Sequence, residues 1–168
     1  MRVLLYEEAC VYTLAPPWPA IVSASLGRLA TKPLVHTDVA ATAGRRALVV
    51  DDEPTIRSAL LRYLRRTGWV AEEAEDGRVA LSILGKSGLD GYQVVVSDLR
   101  MPHCSGVELH DWLAEHRPDL FARLIITTGD LASPAWRDFI ARTTRPLIEK
   151  PFDLAVLAQL IEAVARGR

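Results

Sequence analysis

Between residue 45 and the C-terminus, short apolar runs alternate with amphipathic stretches, and the apolar runs end on polar side chains. Asp51 and Asp52 follow ALVV at 47–50, and Asp98 follows YQVVVS at 92–97. Thr128 closes the run 123–128, and Lys150 follows PLIE at 146–149. Runs this apolar have no wet face, so they read as strands covered on both sides. A further run at 69–74 carries Glu72 and Glu73 and reads as an edge strand.

The segments between the runs have helical spacing. Pro54 suits a first helical turn. Ile56, Leu60, Tyr63 and Leu64 then fall on one face, and Gly68 closes the helix. The spacing predicts helices over 77–85 and 107–116. Ser133 and Pro134 predict the cap and first position of another, with Trp136, Phe139 and Ile140 inward. Asp153 caps a last one carrying Leu154, Leu157, Ile161 and Val164. Five strand–helix units in strict alternation predict an α/β fold, a doubly wound parallel sheet with helices on both faces. Such sheets bind ligands at the carboxyl ends of their strands, near the point where strand order reverses. Asp51, Asp52, Asp98, Thr128 and Lys150 all sit at such ends.

The chemistry these groups share is phosphoryl transfer. Asp98 is the candidate nucleophile, since a carboxylate can accept a phosphoryl group as an acyl phosphate. Alone it repels the incoming phosphate. A hard cation with oxygen ligands removes that repulsion, and Mg²⁺ is commonly held by one or two carboxylates with waters. Asp52 and Asp98 are expected to bind it directly, with Asp51 acting through water or from behind. The backbone carbonyl of Arg100 is a further candidate ligand. Lys150 offers a point charge and Thr128 a hydroxyl donor to the phosphoryl oxygens.

Residues 45–168 resemble a response-regulator receiver domain of two-component signalling. The resemblance rests on ALVVDDEP (47–54), SDLRMP (97–102), Gly106, IITTG (125–129) and EKPF (149–152). TGD at 128–130 followed by RPLIEKPFD at 145–153 is most similar to receivers of hybrid sensor histidine kinases. The resemblance implies a flavodoxin-like, five-stranded sheet of order 2-1-3-4-5 and a cis peptide at Lys150-Pro151. It implies Mg²⁺-dependent transfer from a sensor histidine kinase or a histidine phosphotransfer protein to Asp98. It also implies that Thr128 follows the phosphoryl group as a switch. The chain is then a phosphoacceptor and not an enzyme with a separate substrate.

Two departures stand out. The position three residues before the lysine usually holds an aromatic and here holds Leu147, which puts the usual switch in question. The loop reads PHCSG at 102–106, where glycine and an apolar residue are commoner at 103 and 104. Arg100 and Asp130 lie two residues past the nucleophile and two past the threonine, so both are expected at the site's rim. An ion pair there could slow attack by water; solvated charges that contribute little are the alternative.

The remaining signals bound the setting. Residues 1–44 read as a largely irregular extension, with 3–6 and 21–29 as candidates for local structure and Trp18 costly to leave wet. Glu7 and Glu8 interrupt the first apolar stretch, so it fits neither a signal peptide nor an anchor. Cys10 and Cys104 form no disulfide framework, and the expected setting is reducing and cytoplasmic. A formal net charge of −1 over 168 residues gives no reason to expect nucleic acid or an anionic membrane as partner. No output domain is expected after Arg168. An aspartate-nucleophile phosphohydrolase uses similar parts, but it needs DxD on the first strand, and position 53 is Glu. An interaction module that keeps the fold without phosphorylation is the other alternative.

Overall fold

A computed structural model describes residues 3–4, 44–88 and 91–167. Cys10, Trp18, His36 and the candidate segment 21–29 lie outside the described residues. Five parallel strands are β2 (Arg46–Val50), β3 (Val70–Ala74), β4 (Val94–Asp98), β5 (Leu124–Thr128) and β6 (Leu147–Glu149). They lie in the order β3-β2-β4-β5-β6, which is the 2-1-3-4-5 arrangement. Among the described residues the extension contributes β1 (Val3–Leu4), which pairs antiparallel with β6, Val3 opposite Ile148 and Leu4 opposite Leu147.

The continuous apolar character of the strands follows from their two-sided burial. Successive side chains point to opposite faces. Leu48, Val50, Val95, Leu124, Ile126 and Leu147 enter one core. Ala47, Val49, Val94, Val96, Ile125 and Ile148 enter the other. The second core is closed by α1 (Pro54–Arg66) and α6 (Leu154–Ala165). The first is closed by α2 (Gly77–Leu84), α3 (Gly106–His116), α4 (Pro118–Phe121) and α5 (Arg137–Arg142).

Local chemistry sets the helix ends. Asp76 accepts from Val79 N–H, Asp153 from Ala155 N–H, and Ser105 and Glu108 form a reciprocal capping box. Ser133 does not behave as expected: it makes no side-chain cap, and Pro134–Trp136 form a 3₁₀ turn before α5 begins. The four-residue α4 was not expected either; Pro118 at its first position starts it. Among the described residues no helix is long and apolar enough to cross a membrane.

A buried polar cluster joins α3 to the end of α5. His110 is 4% exposed. Its Nε2 lies 3.0 Å from Thr143 Oγ1 and its Nδ1 2.8 Å from Asp111 Oδ1. Its ring packs edge-on to Phe121 and Phe139, with centroids 4.9 Å away in both cases. Arg142 forks onto both oxygens of Asp111 at 2.8 Å. Thr143 Oγ1 accepts from Arg145 N–H, so its own proton is free for Nε2. That pattern suits a neutral imidazole with its proton on Nδ1. Burial pushes the His110 pKa down, and Arg142 and Arg145 push it further, against the opposing pull of Asp111.

The loop after β4 turns sharply. A Cβ on Gly106 would overlap the Asp98 carbonyl oxygen and Leu99 Cα, so only glycine lets α3 begin this close to the strand. His103, where the resemblance leads to an expectation of glycine, has φ 64°. Left-handed backbone costs a non-glycine residue roughly 1 kcal/mol.

His103→Gly relieves the left-handed strain, less a few tenths for glycine's freedom in the unfolded chain, and gains about 0.5 kcal/mol in urea unfolding. Gly106→Ala loses about 2 kcal/mol or more in the same measurement. The His110 pKa is lower folded than unfolded, where it is about 6.5. The stability tied to its neutral form is therefore complete above that value and drains as pH falls toward the folded pKa. The urea midpoint should fall between pH 7 and 5.5, and less steeply in His110→Gln; equal slopes would refute this.

Candidate functional site

The carboxyl ends of β2, β4, β5 and β6 open into one cavity of about 730 Å³. It lies where strand order reverses, since the chain leaves β2 for β3 on one side and returns to β4 on the other. Asp52, Asp98, Arg100, Thr128, Asp130 and Lys150 are among its lining residues. Each is delivered by the last residue of a strand or the first residues beyond it.

At the base, one ammonium meets two carboxylates. Lys150 Nζ lies 2.7 Å from Asp51 Oδ2 and 2.7 Å from Asp98 Oδ1. Asp51 is 2% exposed and Asp98 5%. The second oxygen of Asp51 accepts from Glu53 N–H at 2.9 Å, and that of Asp98 from Arg100 N–H at 2.9 Å. Burial raises the Lys150 cost of ionisation, but the two carboxylates outweigh it and lift its pKa, so it stays charged. Burial pushes the Asp98 pKa up, and the neighbouring Asp51 adds to this against Lys150 and the Arg100 N–H. One ammonium facing two carboxylates leaves the base of the cavity short of one positive charge.

Asp52 is exposed on the cavity wall and makes no ion pair within 4.0 Å among the described residues. No group of three His, Cys, Asp or Glu side chains among the described residues is gathered closely enough to hold a metal ion. The acidic side chains that line the cavity, Asp52, Glu53, Asp98 and Asp130, nonetheless offer only oxygen. That set suits Mg²⁺, which usually keeps several waters and takes only one or two carboxylates. It does not suit a soft metal.

Thr128 is 2% exposed, and its Oγ1 accepts from Asp130 N–H at 3.3 Å. Leu147 is buried in the core. Arg100 and Asp130 both line the mouth but form no ion pair within 4.0 Å among the described residues. Asp130 instead accepts from Ala132 N–H at 2.9 Å. The peptide between Lys150 and Pro151 is cis. Cys104 is buried away from the cavity lining, and burial pushes its thiol pKa up.

Some of the site escaped the sequence reading. Thr127 Oγ1 reaches Asp98 Oδ1 at 3.4 Å because these two residues are register partners on β5 and β4. Only the register reveals this contact. Trp136 lines the cavity as well. Its spacing with Phe139 and Ile140 marked it as inward-facing, without showing that it borders the site.

The comparisons with known proteins converge. The family model described as "Response regulator receiver domain" matches residues 47–162. Response regulator MprA of Mycolicibacterium vanbaalenii is 34% identical over 121 residues, covering 72% of this chain and 50% of that protein. The chain spans about half the length of this curated relative. The signal receiver domain of a signal transduction histidine kinase from Syntrophus aciditrophicus is similar in structure, with TM-score 0.63 and 30% identity. That match covers 74% of this chain and 92% of the other. Response regulator protein TrrA of Thermotoga maritima, solved in complex with Mg(2+)-BeF, has TM-score 0.59 and 28% identity. It covers 71% of this chain and 98% of its own.

Removing the ammonium should show its balancing role. Lys150→Met is expected to cost about 3 kcal/mol in urea unfolding at neutral pH, because it strands two buried carboxylates. Adding Asp98→Asn should recover part of that loss. A Lys150→Met variant as stable as the parent would contradict the charge balance described here.

Proposed function

The chain belongs to the response-regulator receiver family, and from that membership we propose that Asp98 accepts a phosphoryl group from a phosphohistidine. The observation that carries the reading is the placement of Lys150 Nζ at 2.7 Å from Asp98, on the wall of an open cavity that the exposed Asp52 also lines. Receivers are phosphoacceptor signalling domains and do not turn over a separate substrate. The donor is a sensor histidine kinase or a histidine phosphotransfer protein.

An Asp98 carboxylate oxygen attacks phosphorus. The new P–O bond forms as the P–N bond to the donor imidazole breaks, and the imidazole leaves with its electron pair and takes up a proton. Asp52, Asp98, the Arg100 carbonyl and water would hold Mg²⁺, with Asp51 behind them. A bound Mg²⁺ would neutralise charge on the incoming phosphoryl oxygens. Lys150 presents its ammonium to one such oxygen. The Thr128 hydroxyl, buried on the wall, donates to another. Arg100 and Asp130 line the mouth as separate charges, so no ion pair closes it against water.

The receiver fold and the free, buried Cys104 thiol agree with a cytoplasmic setting. The downstream partner is a protein that reads the loaded state by contact. Neither nucleic acid nor a membrane surface is part of this reading.

The test is phosphotransfer from a panel of purified, ³²P-labelled histidine kinases. Label should enter the parent protein with Mg²⁺ present and fail to enter Asp98→Ala or the parent in chelator. Label on Asp98→Ala, or transfer independent of Mg²⁺, would sink the assignment. Decay of the labelled parent supplies a second reading: Arg100→Ala with Asp130→Ala shortens the lifetime if the rim excludes water, and leaves it unchanged otherwise.

A further inference from the structure

A cavity of about 730 Å³ has room for more than a phosphoryl group. Asp98, Thr128 and Lys150 account for its base. A phosphorus atom arrives there still bonded to a nitrogen of the donor. Attacking and leaving atoms lie roughly in line, so the leaving nitrogen sits on the far side of phosphorus from Asp98. The side chains that line the outer part of the cavity therefore meet the donor's ring.

Trp136 is the one aromatic ring among the described residues that line this cavity. It stands where the 3₁₀ turn meets α5, and it is half-buried. It packs against the core that contains Phe139 and Leu147. A ring seated in this way has little freedom left to lose when a second ring packs on its open side. Trp136 follows β5, whereas Pro54 and Ile56 follow β2, and β4 with Asp98 lies between those two strands. Apolar side chains thus reach the cavity from either side of the nucleophile's strand.

The charge of the leaving ring suits such a wall. The proton that an imidazole takes up goes to the nitrogen not bonded to phosphorus. The P–N bond breaks, its electron pair stays on the other nitrogen, and the ring departs as neutral imidazole. While that bond is breaking the ring has imidazolium character. Cations are held over tryptophan faces, and a flat cation can stack there as well. Glu53 and Asp130 also line the cavity, two acids to the single base Arg100. A leaving ammonia carries similar charge but offers no flat face.

We infer that Trp136 is a specificity-determining residue, whose ring stacks on the donor's imidazolium and favours phosphoryl donors with an aromatic leaving group over compact ones. The inference deepens the reading of Asp98 as phosphoacceptor and rests on it. Trp136 is not among the groups that would face phosphorus or Mg²⁺. It therefore acts on the choice of donor and not on the capacity of Asp98 to accept.

The test uses the full chain with Mg²⁺ and two small donors, N-phosphoimidazole and phosphoramidate. Both break a P–N bond, and their leaving groups are imidazole and ammonia. Early-time mass spectrometry of the intact protein gives a rate constant for each donor. The readout is the ratio of the two within one protein, which cancels any difference in the folded fraction. Trp136→Leu keeps apolar bulk against the core without a ring, and Trp136→Phe keeps a ring. The ratio of phosphoimidazole to phosphoramidate rates should fall about fivefold in Trp136→Leu, the size of a cation–ring contact. It should be largely kept in Trp136→Phe. A merely structural role lowers both rates together, so an unchanged ratio in Trp136→Leu overturns the inference. An equal fall in the Phe and Leu variants overturns it too. A parent that accepts from neither donor, or acceptance by Asp98→Ala, instead removes the phosphoacceptor reading, and the role of Trp136 falls with it.

Discussion

The site depends on one unequal charge balance: a single ammonium held between two buried carboxylates. Lys150 reaches Asp51 and Asp98 from a strand two places removed from Asp98's own and three from the strand that leads into Asp51. Parallel order brings the strand ends together, so the sheet supplies the convergence and no loop has to. Were the acids fully neutralised, the base of the cavity would be an ordinary buried ion-pair network. The surplus negative charge leaves room for a further cation, and the exposed Asp52 adds to the demand for it.

Much of this was legible in the sequence because two-sided burial leaves a distinct mark. ALVV and YQVVVS have no polar alternation, and their strands feed both cores by turns. A polar residue directly after such a run has nowhere to go but the strand end. That logic placed Asp51, Asp98, Thr128 and Lys150 without any knowledge of tertiary contacts. It fails for Thr127, whose contact with Asp98 depends on register. It fails also for the His110 cluster. A histidine in the middle of a helix with ordinary spacing gives no sign that a threonine 33 residues away will complete its hydrogen bonding.

Where local rules did not decide, tertiary packing did. Ser133-Pro134 has the composition of a helix start, yet the chain takes a 3₁₀ turn there and begins α5 three residues later. The turn seats Trp136 against the core and beside the cavity, which a regular first helical turn need not do. The loop after Asp98 shows the opposite case. Gly106 is required by a steric overlap that no neighbour can relieve, because the obstructing atoms are backbone. His103 accepts a left-handed backbone for the sake of the same turn.

The placement of rigid and loose parts follows the chemistry. Asp51, Asp98 and Lys150 are borne by strand ends or the residues just beyond them, where both cores restrain them. The Thr128 hydroxyl is the exception that the structure leaves adjustable. Its partner, Asp130 N–H, is long and belongs to an exposed loop. A site built only of adjustable groups could not hold the charge balance at Lys150. The adjustable bond lies on the strand that leads into α5, while the opposite end of α5 is tied to α3 through Thr143 and His110.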